Sequence, residues 1–112
     1  MVQNAVLIRV ERTLAVVPEG MVVSYGQLAD LSGLPGRARL MGKVLRELQG
    51  EQHWHRVVRA DGKIAFPEGT PQAQEQRLRL MDEGVIVKNN RINLKKYGWK
   101  PDLHTILSEL QY

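Results

Sequence analysis

The chain has 112 residues, 43% of them hydrophobic and 25% charged, with a formal net charge of +4 and no cysteine. These values suit one globular domain spanning residues 1–112 with a single modest core. They exclude a disulfide framework, a thiolate metal site and a cysteine nucleophile. No apolar run approaches a membrane span. The start, Met1-Val2-Gln3-Asn4, lacks the basic and apolar segments of a signal peptide, so a cytoplasmic protein is expected. A basic domain suits polyanionic partners, because each phosphate it neutralises releases counterions. The same charge also serves plain solubility.

Val2, Val6, Leu7, Val10 and Leu14 fall on one side of a helix drawn at about 100° per residue, which Pro18-Glu19-Gly20 ends. Ser24-Tyr25-Gly26-Gln27 has the form of a capping box and opens a short helix. Gly33 and Pro35 stop it. A third helix is predicted from about Arg37 to Leu48, with Leu40, Met41, Val44, Leu45 and Leu48 on its apolar arc. Arg39, Gly42, Lys43 and Arg46 form the opposite arc. Two short helices across a tight Gly/Pro turn read as a helix-turn-helix, with the basic face on its second helix. Gly42 weakens that helix but lets another backbone come close. The same residues also suit any packed helix pair with a solvated basic side.

Arg56 to Phe66 reads as a hairpin, with strands Val57-Val58 and Ile64-Ala65-Phe66 joined by Ala60-Asp61-Gly62. Thr70-Pro71 starts a helix that carries Leu78 and Met81 and stops at Gly84. Val85-Ile86-Val87 and Arg91-Ile92-Asn93-Leu94 form a second predicted hairpin across Asn89-Asn90. Pro101-Asp102 opens a last helix with an apolar stripe of Leu103, Ile106, Leu107 and Leu110. The predicted class is α+β, mostly helical: a single winged helix-turn-helix-like domain. Trp99, Tyr97 and Lys95-Lys96 read as a packed anchor with basic flanks. His53, His55 and His104 have no metal-like spacing with carboxylates, so no metal and no cofactor is expected.

Several of these segments, taken in order, resemble the O6-alkylguanine-DNA alkyltransferases. Ser24-Tyr25-Gly26-Gln27-Leu28-Ala29, Gly33-Leu34-Pro35 and Ala38-Arg39-Leu40-Met41-Gly42 are similar to that family's DNA-binding helix pair. Trp54-His55-Arg56-Val57-Val58 stands where the family carries its active-site motif, Pro-Cys-His-Arg-Val. Glu83-Gly84 matches the acidic residue of the active-site network, and the resemblance runs from the first helix to about Gly84. Trp54 replaces the nucleophilic cysteine, which marks the alkyltransferase-like proteins. The chemistry agrees: alkyl transfer needs a thiolate, and an indole offers only an N–H donor. Other departures are His53 in place of proline, a shortened segment from Leu48 to Gln52 without the family's asparagine, and Phe66-Pro67-Glu68-Gly69 without its tyrosine and serine.

The resemblance implies a partner, double-stranded DNA carrying O6-alkylguanine, bound through the minor groove. It implies a damaged base flipped into a Trp54-containing pocket, with the alkyl group left in place and the site marked for nucleotide excision repair. Repair proteins are then further partners, and the chain is a monomer and not an enzyme. By position, Arg39 matches an arginine finger that fills the vacated base stack. Tyr25 matches the tyrosine that displaces the flipped nucleotide's phosphate. Ala38 and Gly42 permit close approach, and Lys43 and Arg46 meet phosphates. Tyr25, Leu45, Trp54, Val57, Phe66 and Pro67 line the implied lesion pocket, with His55 and Glu83 as a structural network behind it. The plainer alternatives are a solvated basic face, a core tyrosine and a core tryptophan. At the level of function the alternatives are three: a winged-helix regulator without lesion specificity, an enzyme working through Glu83, His55 or an aspartate, and a protein-interaction domain. The first leaves Trp54-His55-Arg56-Val57-Val58 without a reason.

Overall fold

The computed structural model describes residues 2–48 and 53–110. Tyr112 and most of the shortened segment before His53 lie outside them. In chain order the elements are α1 (Asn4–Val16), β1 (Val23–Ser24), α2 (Tyr25–Leu31), α3 (Ala38–Leu48), a 3-10 turn (Trp54–Arg56), β2 (Val57–Val58), α4 (Pro71–Asp82), β3 (Val87–Lys88), β4 (Arg91–Ile92), α5 (Leu94–Tyr97) and α6 (Leu103–Glu109). This is the expected helix-dominated α+β domain. No helix among the described residues is long and apolar enough to cross a membrane.

Polar side chains fix the starts of several helices. Ser24 Oγ accepts the Gln27 N–H at 3.1 Å, Thr70 Oγ1 accepts the Ala73 N–H, and Asp102 Oδ1 accepts the Thr105 N–H. Each satisfies a donor that the first helical turn leaves unpaired. The Ser24 box is only half formed. The Gln27 side chain does not return to Ser24 but donates to the Trp99 carbonyl at 2.7 Å, tying α2 to the far end of the chain.

The central feature is a two-stranded parallel pair in which β1 meets β2, Val23 opposite Val57 and Ser24 opposite Val58. Side chains alternate across a strand. Val23 and Val57 therefore face a cluster with Val10, Leu14, Leu28, Met41 and Val44 of the first three helices. Val22 and Val58 face a second cluster with Ile64, Leu80, Val85 and Ile92. The single core expected from length thus divides into two, one on each face of the strands. The C-terminal segment follows the same alternation: Tyr97 joins the second cluster and Trp99 the first. Its backbone brackets Val22, whose N–H donates to Tyr97 O and whose carbonyl accepts from Trp99 N–H, both at 2.8 Å.

One sequence expectation is corrected, and two helices, α4 and α6, leave most of their large apolar residues exposed. Val57-Val58 is not half of a hairpin with Ile64-Ala65-Phe66. Both valines are buried, and a strand apolar on both faces suits a covered parallel pair rather than a half-solvated hairpin. The turn survives, since the Arg59 N–H reaches Lys63 O. Beyond it the Ile64 N–H turns to Asn90 O instead. On α4 the inward face is Ala73, Gln76 and Leu80, while Leu78 and Met81 are 53% and 47% exposed. Gln76 is buried because its amide nitrogen donates to the His55 and Val57 carbonyls, each at 3.0 Å. On α6 no residue is buried: Leu103 and Leu107 are exposed, and the first buried residue is Leu110, just past the helix end.

The second hairpin forms across Asn89-Asn90, with Val87 opposite Ile92 and Lys88 opposite Arg91. Both asparagines have positive φ, 53° and 61°, as a two-residue hairpin turn of the primed type requires. Gly62 packs against it. A Cβ at Gly62 would lie 2.2 Å from the Ile92 carbonyl oxygen, so only glycine allows that approach.

Candidate nucleic-acid interface

The helix pair, the 3-10 turn, the segment beyond β2 and the start of α4 meet at a cleft of about 790 Å³. From the helix pair come Tyr25, at the first turn of α2, and Ala38, Arg39, Gly42, Leu45 and Arg46 along α3. From the 3-10 turn comes Trp54, and from the segment beyond β2 come Arg59 and Phe66. The helix pair presents its face for a local reason. Gly33 and Gly36 adopt positive φ, 76° and 77°, and the Leu34 N–H returns to Ala29 O at 2.8 Å. The tight reversal lets Met41 and Val44 bury while Arg39, Lys43 and Arg46 stay exposed.

Of the residues expected to line a pocket, Tyr25, Leu45, Trp54 and Phe66 do so. Val57 does not: it is 1% exposed and belongs to the core beneath. Pro67 is exposed and outside the cleft lining. Lys43 is exposed on α3 but also outside the lining. Arg59, Gln72 and Glu75 line the cleft and were not singled out from sequence. Only the chain reversal after β2 and the start of α4 bring them there.

Trp54 is half-buried and held on several sides. Its ring meets Phe66 edge-to-face at 6.2 Å and His55 at 6.3 Å. The Arg79 guanidinium lies 5.5 Å from its centroid, within cation–π range. Gly42 has no partner that demands glycine, because a Cβ there would meet only the tip of Arg46 at 3.7 Å, an ordinary contact. Burial raises the pKa of the Tyr25 phenol, against the opposing pull of Arg59 and Arg46.

Behind Trp54 lies a buried polar network. His55 Nε2 is 2.6 Å from Glu83 Oε2, and Arg56 grips the same carboxylate through Nε and Nη2. Arg56 Nη1 also donates to Val17 O, and the Gly20 N–H donates to Glu83 Oε1. Burial pushes the Glu83 pKa upward, but the Arg56 guanidinium, the Gly20 amide and His55 overcome it and hold the carboxyl at about 2. Burial lowers the His55 pKa and outweighs the carboxylate beside it. The imidazole is therefore neutral, donating from Nε2, and Nδ1 has no partner among the described residues.

Residues 5–85 match the family model described as 6-O-methylguanine DNA methyltransferase, DNA binding domain. The chain belongs to that family. The chain is similar to the DNA base-flipping protein of Escherichia coli, 43% identical over 94 residues, 81% of this chain and 71% of that one. Alkyltransferase-like protein 1 of Schizosaccharomyces pombe is 36% identical over 92 residues, 76% of this chain and 85% of that one. The crystal structure of S. pombe Atl1 with damaged DNA containing O6-carboxymethylguanine superposes with a TM-score of 0.79 at 32% identity. That match covers 90% of this chain and 100% of the other. Against the family motif Pro-Cys-His-Arg-Val, this member carries His53-Trp54-His55-Arg56-Val57.

The network sets an acid limit on folding. Both His55 and Glu83 bind protons less readily folded than unfolded, so stability falls as pH falls. The loss begins below 6.5 through His55 and continues from 4.5 to about 2 through Glu83. Glu83→Gln is expected to cost about 3–5 kcal/mol at neutral pH, because it leaves Arg56 buried without its counter-charge. It should also flatten the lower part of the acid limb. Denaturant unfolding across pH checks both; an unchanged limb would assign the acid loss to other carboxylates.

Proposed function

We propose that this protein binds double-stranded DNA carrying O6-alkylguanine, turns the damaged nucleotide out into the Trp54 cleft, and leaves the alkyl group in place. The observation that carries the reading is that Tyr25, Arg39 and Trp54, from three separate segments, line one cleft. In this reading α3 enters the minor groove. Arg39 takes the vacated place in the stack, where a planar cation can lie against bases and donate to the orphaned cytosine. Tyr25 displaces the phosphate of the flipped nucleotide, Ala38 and Gly42 let the groove come close, and Lys43 and Arg46 meet phosphates. Trp54, Phe66 and Leu45 form the apolar wall against base and alkyl group. The names of the relatives and the DNA-bound S. pombe structure support the same direction. Flipping costs a few kcal/mol, least for a weakly paired damaged base, so part of the selectivity comes from the lesion.

The reading is non-catalytic. The chain has no cysteine, and no thiolate can accept the alkyl group. His55 and Glu83, bonded to each other and to Arg56, have a structural role: they hold the turn that presents Trp54. The bound complex is then a mark for nucleotide excision repair.

Three outcomes test this. In competitive titration at moderate salt, O6-methylguanine duplex should outcompete unmodified duplex, and mass spectrometry of the recovered DNA should find the methyl group intact. Equal affinities would return the protein to a regulator without lesion specificity, and a demethylated base would make it an enzyme. Arg39→Ala should lose more lesion affinity than Lys43→Ala, since only Arg39 enters the stack; equal losses would reduce both to phosphate contacts. Gly42→Ala should raise folding stability by about 0.5–1 kcal/mol, as expected for glycine replaced within a helix, while weakening duplex binding. Undiminished binding by that variant would remove Gly42 from the interface.

A further inference from the structure

A second concave surface, of about 840 Å³, lies on the hairpin side of the molecule. Lys63, Lys88, Arg91, Lys95 and Lys96 line it against one carboxylate, Asp61. Five cations against one anion leave this groove with as much net charge as the whole chain, +4. The remainder of the sequence therefore balances to zero, and the groove holds the excess. Its five cations are all exposed.

The placement of these charges is unfavourable for the isolated protein. Lys88 stands directly opposite Arg91 in the β3–β4 pair, and Lys63 bridges to the same Arg91 from the other side. Cross-strand partners share a face, and like charges directly opposite each other are destabilising. Asp61 relieves this only in part, with Oδ2 3.5 Å from Arg91 Nη2 at the surface. A row of repelling cations on a fixed backbone is what a polyanion would neutralise.

The groove is also linked to the Trp54 cleft through neighbouring residues. Between them lies a small hollow that contains Lys100, shares Ala60 with the Trp54 cleft and shares Leu94 with the basic groove. The three concavities are therefore neighbours, each adjoining the next at a shared residue. The wall between them is held by hydrogen bonds: Gln27 of α2 donates to the Trp99 carbonyl in the hollow, and the Ile92 N–H donates to Gly62 O beside the groove.

We propose that this groove is a second phosphate-binding surface, which takes the backbone of the duplex arm flanking the stretch held by α3. The inference rests on the DNA-binding reading above and extends it from a single-helix footprint to the neighbouring groove at the β3–β4 hairpin. The groove adds affinity without regard to sequence or lesion, because phosphate contacts carry no base information.

The test compares a short duplex covering only the α3 footprint with one extended on both sides, each with and without O6-methylguanine. The variant combines Lys63→Gln, Lys88→Gln and Lys95→Gln. It should fold at least as stably as the parent, since repulsion is removed, and denaturant unfolding verifies this. The parent should bind the extended duplex more tightly and with a steeper salt dependence than the short one. In the variant, extended-duplex affinity should fall about tenfold or more, with a salt slope shallower by about 0.9 for each phosphate no longer neutralised. Short-duplex affinity and the ratio of lesion to unmodified binding should be unchanged. Unaltered extended-duplex binding and slope in the variant would overturn the proposal, as would an equal loss on both lengths. A parent that gains from duplex extension but shows no lesion preference would support the groove proposal while sinking the lesion reading.

Discussion

One carboxylate, that of Glu83 just after α4, accepts hydrogen bonds from the Gly20 amide beyond α1 and from the His55 and Arg56 side chains of the 3-10 turn. Its side chain is 9% exposed, and those of His55 and Arg56 are 6% and 7%. Burying such charges is costly unless each is paired and its remaining hydrogen-bonding groups are satisfied. Here the fourth tie, Arg56 Nη1 to Val17 O, leaves each guanidinium nitrogen with a partner. The arrangement locks three distant stretches of chain at one point. The rest of the site follows from it. With His55 and Arg56 turned inward, Trp54 is left at the cleft, where Phe66 and Arg79 hold its ring.

The parallel valines make the second constraint. Strands apolar on both faces need cover on both faces, so the chain builds two small clusters instead of one. The first carries the helix pair, and the second carries α4 and the hairpin. The Trp54 cleft draws on both: Tyr25 and Leu45 pack against the first cluster, and Phe66 packs against the second. A site at such a seam inherits its geometry from the strands, because neither cluster can shift without moving β1 or β2.

Much of this was legible in the sequence where the signal was local. Ser24, Thr70-Pro71 and Asp102 announce helix starts by side-chain chemistry, and Asn89-Asn90 announces a turn that needs positive φ. The α3 arcs follow from period alone, and the departure at Trp54 is visible on inspection. What was not legible depends on partners distant in sequence. Val57-Val58 reads equally well as a hairpin strand until Val23 is placed beside it. Gln76 looks like a surface residue until two carbonyls of the 3-10 turn and β2 require a donor. Arg59 reaches the cleft only because the chain reverses after β2, and the Gln27 side chain leaves its local cap for a carbonyl 72 positions away.

The indole at position 54 also changes what an encounter leaves behind. A thiolate that accepts an alkyl group is consumed, so such a protein counts lesions by being used up. On the proposed non-catalytic reading, Trp54 forms no bond with an alkyl carbon, and the chain emerges from each complex unaltered. On the reading proposed here, its supply is not depleted by damage. The duration of the mark is then a residence time, set by dissociation alone. Substitutions at the cleft wall would therefore tune how long a lesion stays flagged, and copy number would tune how many are flagged at once.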